Sequence, residues 1–265
     1  MERMRAAVES DCYGIREVAL TQPLTWLARG ARDLARCPLP GLVHGLAAAA
    51  FAAVLLAVAH DQFWLLSGAF SGFLIVAPVV ATALYRISRS LQRGQHTTLA
   101  QAVSVWWPDD ERLIVFGALL ACAGTGWVLT SAALITGHAP APVEQPADFV
   151  RHVVLNEETL LFEFWLLLGG IMAAPIFASS VIAIPMLLDR PVGVMTAVFT
   201  SWRAVMHNPG PLALWAGLLL ALSALGMVTA LVGLIPVVPW LAHASWHAYQ
   251  DLVDTEGLPP APPRC

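Results

Sequence analysis

The feature that most limits how this chain can fold is a series of long stretches without a charged side chain. They run from Leu42 to Ala59, Gln62 to Leu84, Leu113 to Thr136, Phe164 to Leu187 and Leu212 to Tyr249. A bilayer core about 30 Å thick is crossed by roughly 20 apolar residues as an α-helix. Besides a closed barrel, only a helix satisfies its own backbone hydrogen bonds in hydrocarbon. Each of the first four runs predicts one span. The last is long enough for two, and Gly233 divides it into Leu212–Leu231 and Leu234–Tyr249, with a re-entrant segment as the competing reading. The expected fold class is all-α: a polytopic membrane protein of six transmembrane helices, arranged as three helical hairpins.

Composition points the same way. Of the 265 residues 58% are hydrophobic and 12% charged, whereas a water-facing domain carries about 25% charged residues. A net charge of −4 with no basic block argues against a nucleic-acid partner. The 14 basic residues are all arginine, and 13 of them lie before span one, between spans two and three, between spans four and five, or in the tail. Only Arg151 sits in the opposite loops. Cationic residues collect on the cytoplasmic side, so both termini are expected there, and His138–Glu158 becomes the one sizeable external loop. The first forty residues hold no apolar run of the signal-peptide kind, so no cleaved leader is expected. Cys12, Cys37, Cys122 and Cys265 are far apart and read as packing or bystander residues.

Three polar segments between the spans have helical periodicity. Pro23–Arg36 places Leu24, Leu27, Ala31 and Leu34 on one face and turns Arg29, Arg32, Asp33 and Arg36 away. Val192–Met206 does the same with Val192, Met195, Phe199, Trp202 and Met206, and Thr98–Trp107 is a shorter third case. Each predicts an amphipathic helix in the cytoplasmic interface, its apolar face either in the acyl boundary or against the ends of the spans. Each ends at a proline (Pro38, Pro108, Pro209) that leads into a span. The second span of each hairpin carries one spacing: Gly72, Pro78, Ala81; then Gly169, Pro175, Ala178; then Gly233, Pro239, Ala242. These matches predict a pseudo-threefold repeat, 23–91, 97–188 and 192–252, inside a membrane domain of 23–252, flanked by tails 1–22 and 253–265. Glycine and alanine beside the prolines, including Gly170, Ala173 and Ala174, are expected to let helices pack closely.

The run P-M-L-L-D-R-P-V-G-V-M-T-A-V-F-T-S-W-R-A-V-M-H-N-P (Pro185–Pro209) and the later G-L-I-P-V-V-P-W-L-A-H-A-S-W-H-A-Y-Q-D-L (Gly233–Leu252) resemble the bacterial integral-membrane family called domain of unknown function 2189. The likeness extends from about Leu24 to Leu252. It implies six spans in the inner (cytoplasmic) membrane of a proteobacterium and no established activity. Some members carry the label of cytochrome c oxidase subunit I. That subunit needs about twelve spans and several intramembrane histidines, whereas only His44, His243 and His247 lie in these spans.

His243 and His247, four residues apart on a helix, share one face, and this is the sharpest constellation in the chain. Metal-binding helices use that spacing, so the pair is the candidate metal or haem site. The plainer reading puts both imidazoles at the cytoplasmic end of the last helix, hydrogen-bonded to headgroups or loops, with Trp246 and Tyr249 in the aromatic belt. The spans hold no Asp, Glu or Arg of the kind coupled carriers use. Prolines at 78, 175, 185, 236 and 239 keep a carrier with exposed backbone open. Glu163 and Asp61 are expected at solvated edges. Asp109, Asp110 and Glu111 either bind a cation or set the water-facing start of span three. No catalytic residue and no cofactor are assigned. The sequence therefore favours a non-enzymatic accessory or scaffold protein that works against the lipid bilayer or another membrane protein, such as a respiratory complex. A small-molecule or lipid carrier is the alternative, and a haem- or metal-binding subunit ranks below it.

Overall fold

The computed structural model describes residues 13–59, 61–94 and 111–254, the side chains of Leu65 and of 67–80 excepted. The expected surface helix at Thr98–Trp107, Pro108, Asp109, Asp110, Cys12, Cys265 and the packing roles of Gly72 and Pro78 lie outside what is described. The described chain is all-α apart from one strand pair. In order come β1 (Gly14–Ile15), α1 (Gln22–Arg36), α2 (Pro38–Ala59), α3 (Phe63–Gln92), α4 (Glu111–His138) and α5 (Pro146–Phe149). A π-helical turn (Val150–Val154) follows, then α6 (Leu161–Ser180), α7 (Ala183–Asp189), α8 (Val194–His207), α9 (Pro209–Val228), α10 (Leu234–Leu252) and β2 (Val253–Asp254).

Among the described residues, four segments are long and apolar enough to cross a membrane: Pro38–Ala59, Glu111–His138, Leu161–Asp189 and Pro209–Val228, with mean hydropathy 2.0–2.3. Only 22–39% of each apolar window is buried inside the protein. Leu46, Phe51, Leu119, Leu129, Leu167, Ile171, Leu220 and Leu225 all point outward. Helices this apolar and this exposed are inside-out for water and right for lipid. Helix α10, expected as a span, is not among the four, and its second half carries the sequence H-A-S-W-H-A-Y-Q-D.

One helix break follows from a proline. The ring of Pro185 would collide with the carbonyl four residues back, at Val181, and the chain leaves the helix at Val181–Ile182 between α6 and α7. The freed Ile182 N–H is taken by Ser201 Oγ of α8 at 3.1 Å. Thr229–Gly233 separates α9 from α10, with Ala230 and Leu231 at φ of 53° and 66°. The division expected at Gly233 is present, and the two helices pack together.

The chain forms two compact units. One comprises Ala50–Ala77 and Ile114–Ile176. Here the expected external loop is folded: Val143 and Val153 are buried with Ile135 and Leu161. Phe63 stacks on Phe149 at 5.3 Å, and Phe149 meets Trp165 edge-on. The Trp165 indole, a donor that needs a partner in apolar surroundings, gives its proton to Ser131 Oγ at 2.7 Å. Backbone N–H groups of Gln145 and Glu144 donate to Asp148, which holds its carboxyl below the ordinary value. Gly169 lies against the Trp127 ring, while Gly170, Ala173 and Ala174 face outward.

The other unit comprises Met1–Ala49, Pro78–Leu113 and Phe177–Cys265. In it β1 pairs antiparallel with β2, Gly14 opposite Asp254 and Ile15 opposite Val253. Helix α1 packs on α10 and α9, and α8 packs on α7. The buried face of α1 is Pro23, Trp26, Leu27, Gly30 and Asp33. The expected face is therefore rotated: Leu24 and Ala31 are exposed, and Asp33 is 5% exposed rather than turned away with the arginines. The reason is a protein neighbour at Gly30, where a Cβ would stand 2.7 Å from Ala244 N. On α8 the buried residues are Ala197, Thr200, Ser201 and Ala204. The expected apolar residues Met195, Phe199, Trp202 and Met206 are all exposed.

Candidate functional site

The α1–α10 contact begins with backbone. Pro239 lacks the N–H that would bond the Ile235 carbonyl. That oxygen faces Gly45 of α2 so closely that a Cβ there would collide with it. Gly30 brings α1 against the Trp240–Ala244 turn in the same way. Trp240 Nε1 then donates to the Leu27 carbonyl of α1 at 2.8 Å. At this separation short side chains can meet across the contact, and a polar cluster forms in the interior.

Asp33 is its centre. His247 Nε2 and Ser88 Oγ each lie 2.8 Å from Asp33 Oδ2, and His243 Nδ1 lies 2.8 Å from Ser88 Oγ. His243 and Ser88 are 0% exposed and His247 is 5%. Burial pushes the Asp33 carboxyl up, but hydrogen bonds from His247 and Ser88 outweigh it and hold the group below its ordinary value. An ionised carboxylate only accepts. Ser88 therefore gives Asp33 its one proton and accepts from His243 Nδ1–H, which leaves a lone pair on His243 Nε2. That atom has no hydrogen-bond partner among the described residues. His44 is also buried, its Nδ1 2.7 Å from the Pro40 carbonyl.

Further carboxylates fasten the same unit. Asp251 Oδ2 accepts from Gln22 Nε2 at 2.7 Å, Trp26 Nε1 at 2.8 Å and Arg29. Asp189 pairs with Arg89 and Arg190 and accepts from the Tyr249 hydroxyl at 3.0 Å. Arg112 donates to the carbonyls of Leu187, Arg190 and Val192. Gln92 accepts from Trp246 Nε1 at 3.1 Å.

The structure places His243 and His247 on one face, as their spacing requires, and directs that face inward. They bond to Ser88 and Asp33 rather than to headgroups or loops, and Trp246 and Tyr249 are each 1% exposed rather than in an outer belt. Helix α1 covers that face, which is why the imidazoles find protein partners rather than headgroups. Among the described residues no group of three or more His, Cys, Asp or Glu is arranged to hold a metal ion. The serine, histidine and aspartate do not form a nucleophilic arrangement either. In one the histidine takes the serine proton; here the carboxylate takes it and the hydroxyl is sealed off. Sequence reasoning missed Asp33 and Ser88. The signal for Asp33 was its position at the end of Trp26, Gly30, Asp33, the i, i+4, i+7 series of one helix face. Ser88 lies beyond the predicted end of span two and had no signal. Glu163 and Asp61 are exposed. Cys37 and Cys122 carry no disulfide.

Residues 65–189 match the family model described as "predicted integral membrane protein", DUF2189. This stretch belongs to the DUF2189 family. The match takes in Ser88, Arg89 and Asp189 and stops short of His243 and His247. No curated protein and no solved structure matches the chain.

Proposed function

We propose that the chain is a six-span protein of the bacterial inner membrane with both ends in the cytoplasm, acting as a non-enzymatic accessory or scaffold protein beside another membrane protein, such as a respiratory complex. The observation that carries this reading is how the polar groups are used. Asp33, Ser88, His243 and His247 are engaged with one another beneath the surface, while the exposed helix faces are overwhelmingly apolar. Chemistry needs reactive groups that a substrate can reach; a partner protein or lipid needs faces.

The topology has its own support. The β1–β2 pair returns the chain to where it began, which requires an even number of crossings between Ile15 and Val253. The four apolar segments satisfy this, and so do six once α3 and α10 are added. The order short helix, proline, long helix, long helix occurs in both α1–α2–α3 and α8–α9–α10. It favours the repeat.

The carrier reading loses ground at the α6–α7 break, where the freed Ile182 N–H is taken by Ser201 rather than left for a solute. A haem or metal subunit would require His247 Nε2 to abandon Asp33. Purification in mild detergent with mass spectrometry tests the proposal: a membrane protein is expected at fixed stoichiometry. A chain that purifies alone with a bound solute or lipid would overturn the scaffold reading in favour of a carrier. Cysteine labelling near Val150 from outside, with the C-terminal tail unlabelled, is the expected topology; a tail reached from outside would refute it.

A further inference from the structure

Helix α8 has its burial arranged in reverse. At 100° per residue, Ala197, Thr200, Ser201 and Ala204 lie on one face and Met195, Phe199, Trp202 and Met206 on the opposite one. The first four are buried. The second four are exposed by 59%, 47%, 38% and 74%. A helix held to a protein by its small residues, with its large apolar side chains outward, has its hydrophobic face toward something else.

We propose that α8 lies in the cytoplasmic leaflet, with Met195, Phe199, Trp202 and Met206 in contact with lipid acyl chains. The proposal rests on the membrane reading above and deepens it at one helix. Three features select lipid as the occupant. First, α8 ends at His207 and α9, one of the four apolar segments, begins at Pro209, so only Asn208 separates them. The Asn208 amide spans that junction, accepting from Val18 N–H at 2.9 Å and donating to the Arg16 carbonyl at 3.1 Å. At its other end α8 follows the apolar segment Leu161–Asp189 after four residues. A helix tied this closely to two spans sits at the level where they leave the bilayer.

Second, the stripe asks for no hydrogen bonds. Met195, Phe199 and Met206 have no donor to satisfy, and the one indole in the row, Trp202, already donates from Nε1 to Ser179 Oγ at 2.9 Å. Its ring can enter hydrocarbon without carrying an unsatisfied N–H. The buried hydroxyls are likewise spent internally, Ser201 on Ile182 N–H and Thr200 on the Thr196 carbonyl. Third, the polar residues lie on the flank. Arg203 and His207 fall 70–110° round the helix from the stripe centre by the same geometry, where an interfacial helix keeps its cations near headgroups.

The test is spin-label accessibility in vesicles of phosphatidylethanolamine and phosphatidylglycerol, with the native cysteines replaced by serine and single cysteines introduced as Met206→Cys, Phe199→Cys, Leu220→Cys and Glu157→Cys. Leu220, on α9, reports on the membrane reading, and Glu157 is the aqueous reference. Oxygen collides preferentially with labels in lipid and a nickel chelate with labels in water. The expected oxygen-to-nickel ratio at 206 and 199 is several-fold above that at 157 and below that at 220, placing α8 at shallow depth. A high ratio at 220 with an aqueous ratio at 206 and 199 overturns the proposal while leaving the spans intact. Labels at 206 and 199 shielded from both reagents mean that a second copy covers the face, and also overturn it. An aqueous ratio at 220 overturns the membrane reading itself. Retention of the far-ultraviolet helical signal shows which variants remain folded.

Discussion

Helices α1 and α8 look alike in sequence and fold to opposite ends. Both are short, amphipathic, arginine-bearing and followed by a proline that opens a longer helix. Yet α1 is held by a face that includes Trp26, Gly30 and Asp33, with Leu24, expected on its apolar face, left out. In α8 small residues face inward while Met195, Phe199, Trp202 and Met206 face outward. The difference lies in what each helix meets. Opposite α1 stands α10, whose His243 and His247 supply donors to a buried carboxylate network. Opposite α8 stands a broken helix that needs one hydroxyl. Amphipathicity says that a helix has two faces; it does not say which face meets protein.

The largest expected effect is at the closest approach. Gly30→Leu forces a side chain into space already occupied by the Ala244 backbone and the Trp240 carbonyl, and backbone cannot yield as a side-chain tip can. Overpacking of this kind costs about 3 kcal/mol or more, so detergent thermal unfolding should show a large fall in midpoint or no folded protein. Gly217→Ala, at a position with nothing within 4 Å, should change stability by less than about 0.5 kcal/mol. Equal tolerance at both sites would break the claim that α1 is clamped.

Next comes Asp33→Asn, which keeps the shape and removes the charge to which His247 and Ser88 donate. Loss of charge-assisted hydrogen bonds predicts a cost of about 2 kcal/mol at pH 7. Because the folded state holds this carboxyl below its ordinary 3.8, it favours the ionised form. The stabilisation is therefore complete above that value and is lost as pH falls through the lower, folded one. The gap between wild type and Asp33→Asn should hold down to about pH 4 and close at more acid pH. A gap that widens on acidification would show the carboxyl to be protonated in the fold. Trp240→Phe, which leaves the Leu27 carbonyl without its indole donor, should cost about 1 kcal/mol.

Much of this contrast was legible in the sequence and part was not. Uncharged runs located α2, α4, the α6–α7 segment and α9, because lipid imposes length and composition on every span alike. Gly233 located the α9–α10 turn. The spacing of His243 and His247 located the interior face but named neither partner, because Asp33 and Ser88 lie 214 and 155 residues away from the histidines they serve. Gly30 and Gly45 escaped notice for the same reason: a glycine at a helix crossing is recognised by its neighbour. The face of α1 was misjudged because Leu24 and Ala31 are apolar while Asp33 is charged, and hydropathy ranks a paired carboxylate as exposed.

The smallest predicted effect separates the two helices most directly. Phe199→Ser and Met206→Ser remove large apolar side chains that make little contact with the rest of the protein, being 47% and 74% exposed. In detergent, where micelle replaces lipid, they should shift the thermal midpoint by no more than a typical surface change, under about 0.5 kcal/mol each. In vesicles the same variants give up contact with acyl chains, and each side chain withdrawn from water is worth roughly 1.5–3 kcal/mol when fully buried. Half-exposed residues at a shallow depth realise a fraction of that, so the double variant should lose more stability in vesicles than in detergent. The matching change on α1, Leu24→Ser, removes a side chain that is also 53% exposed, but from a helix fastened to α10 by Gly30, Trp240 and Asp33. If lipid holds α8 and protein holds α1, the vesicle-minus-detergent difference belongs to α8. An equal difference at Leu24 would mean that both helices rest on the leaflet and that the clamp on α1 adds to, rather than replaces, its hold on lipid.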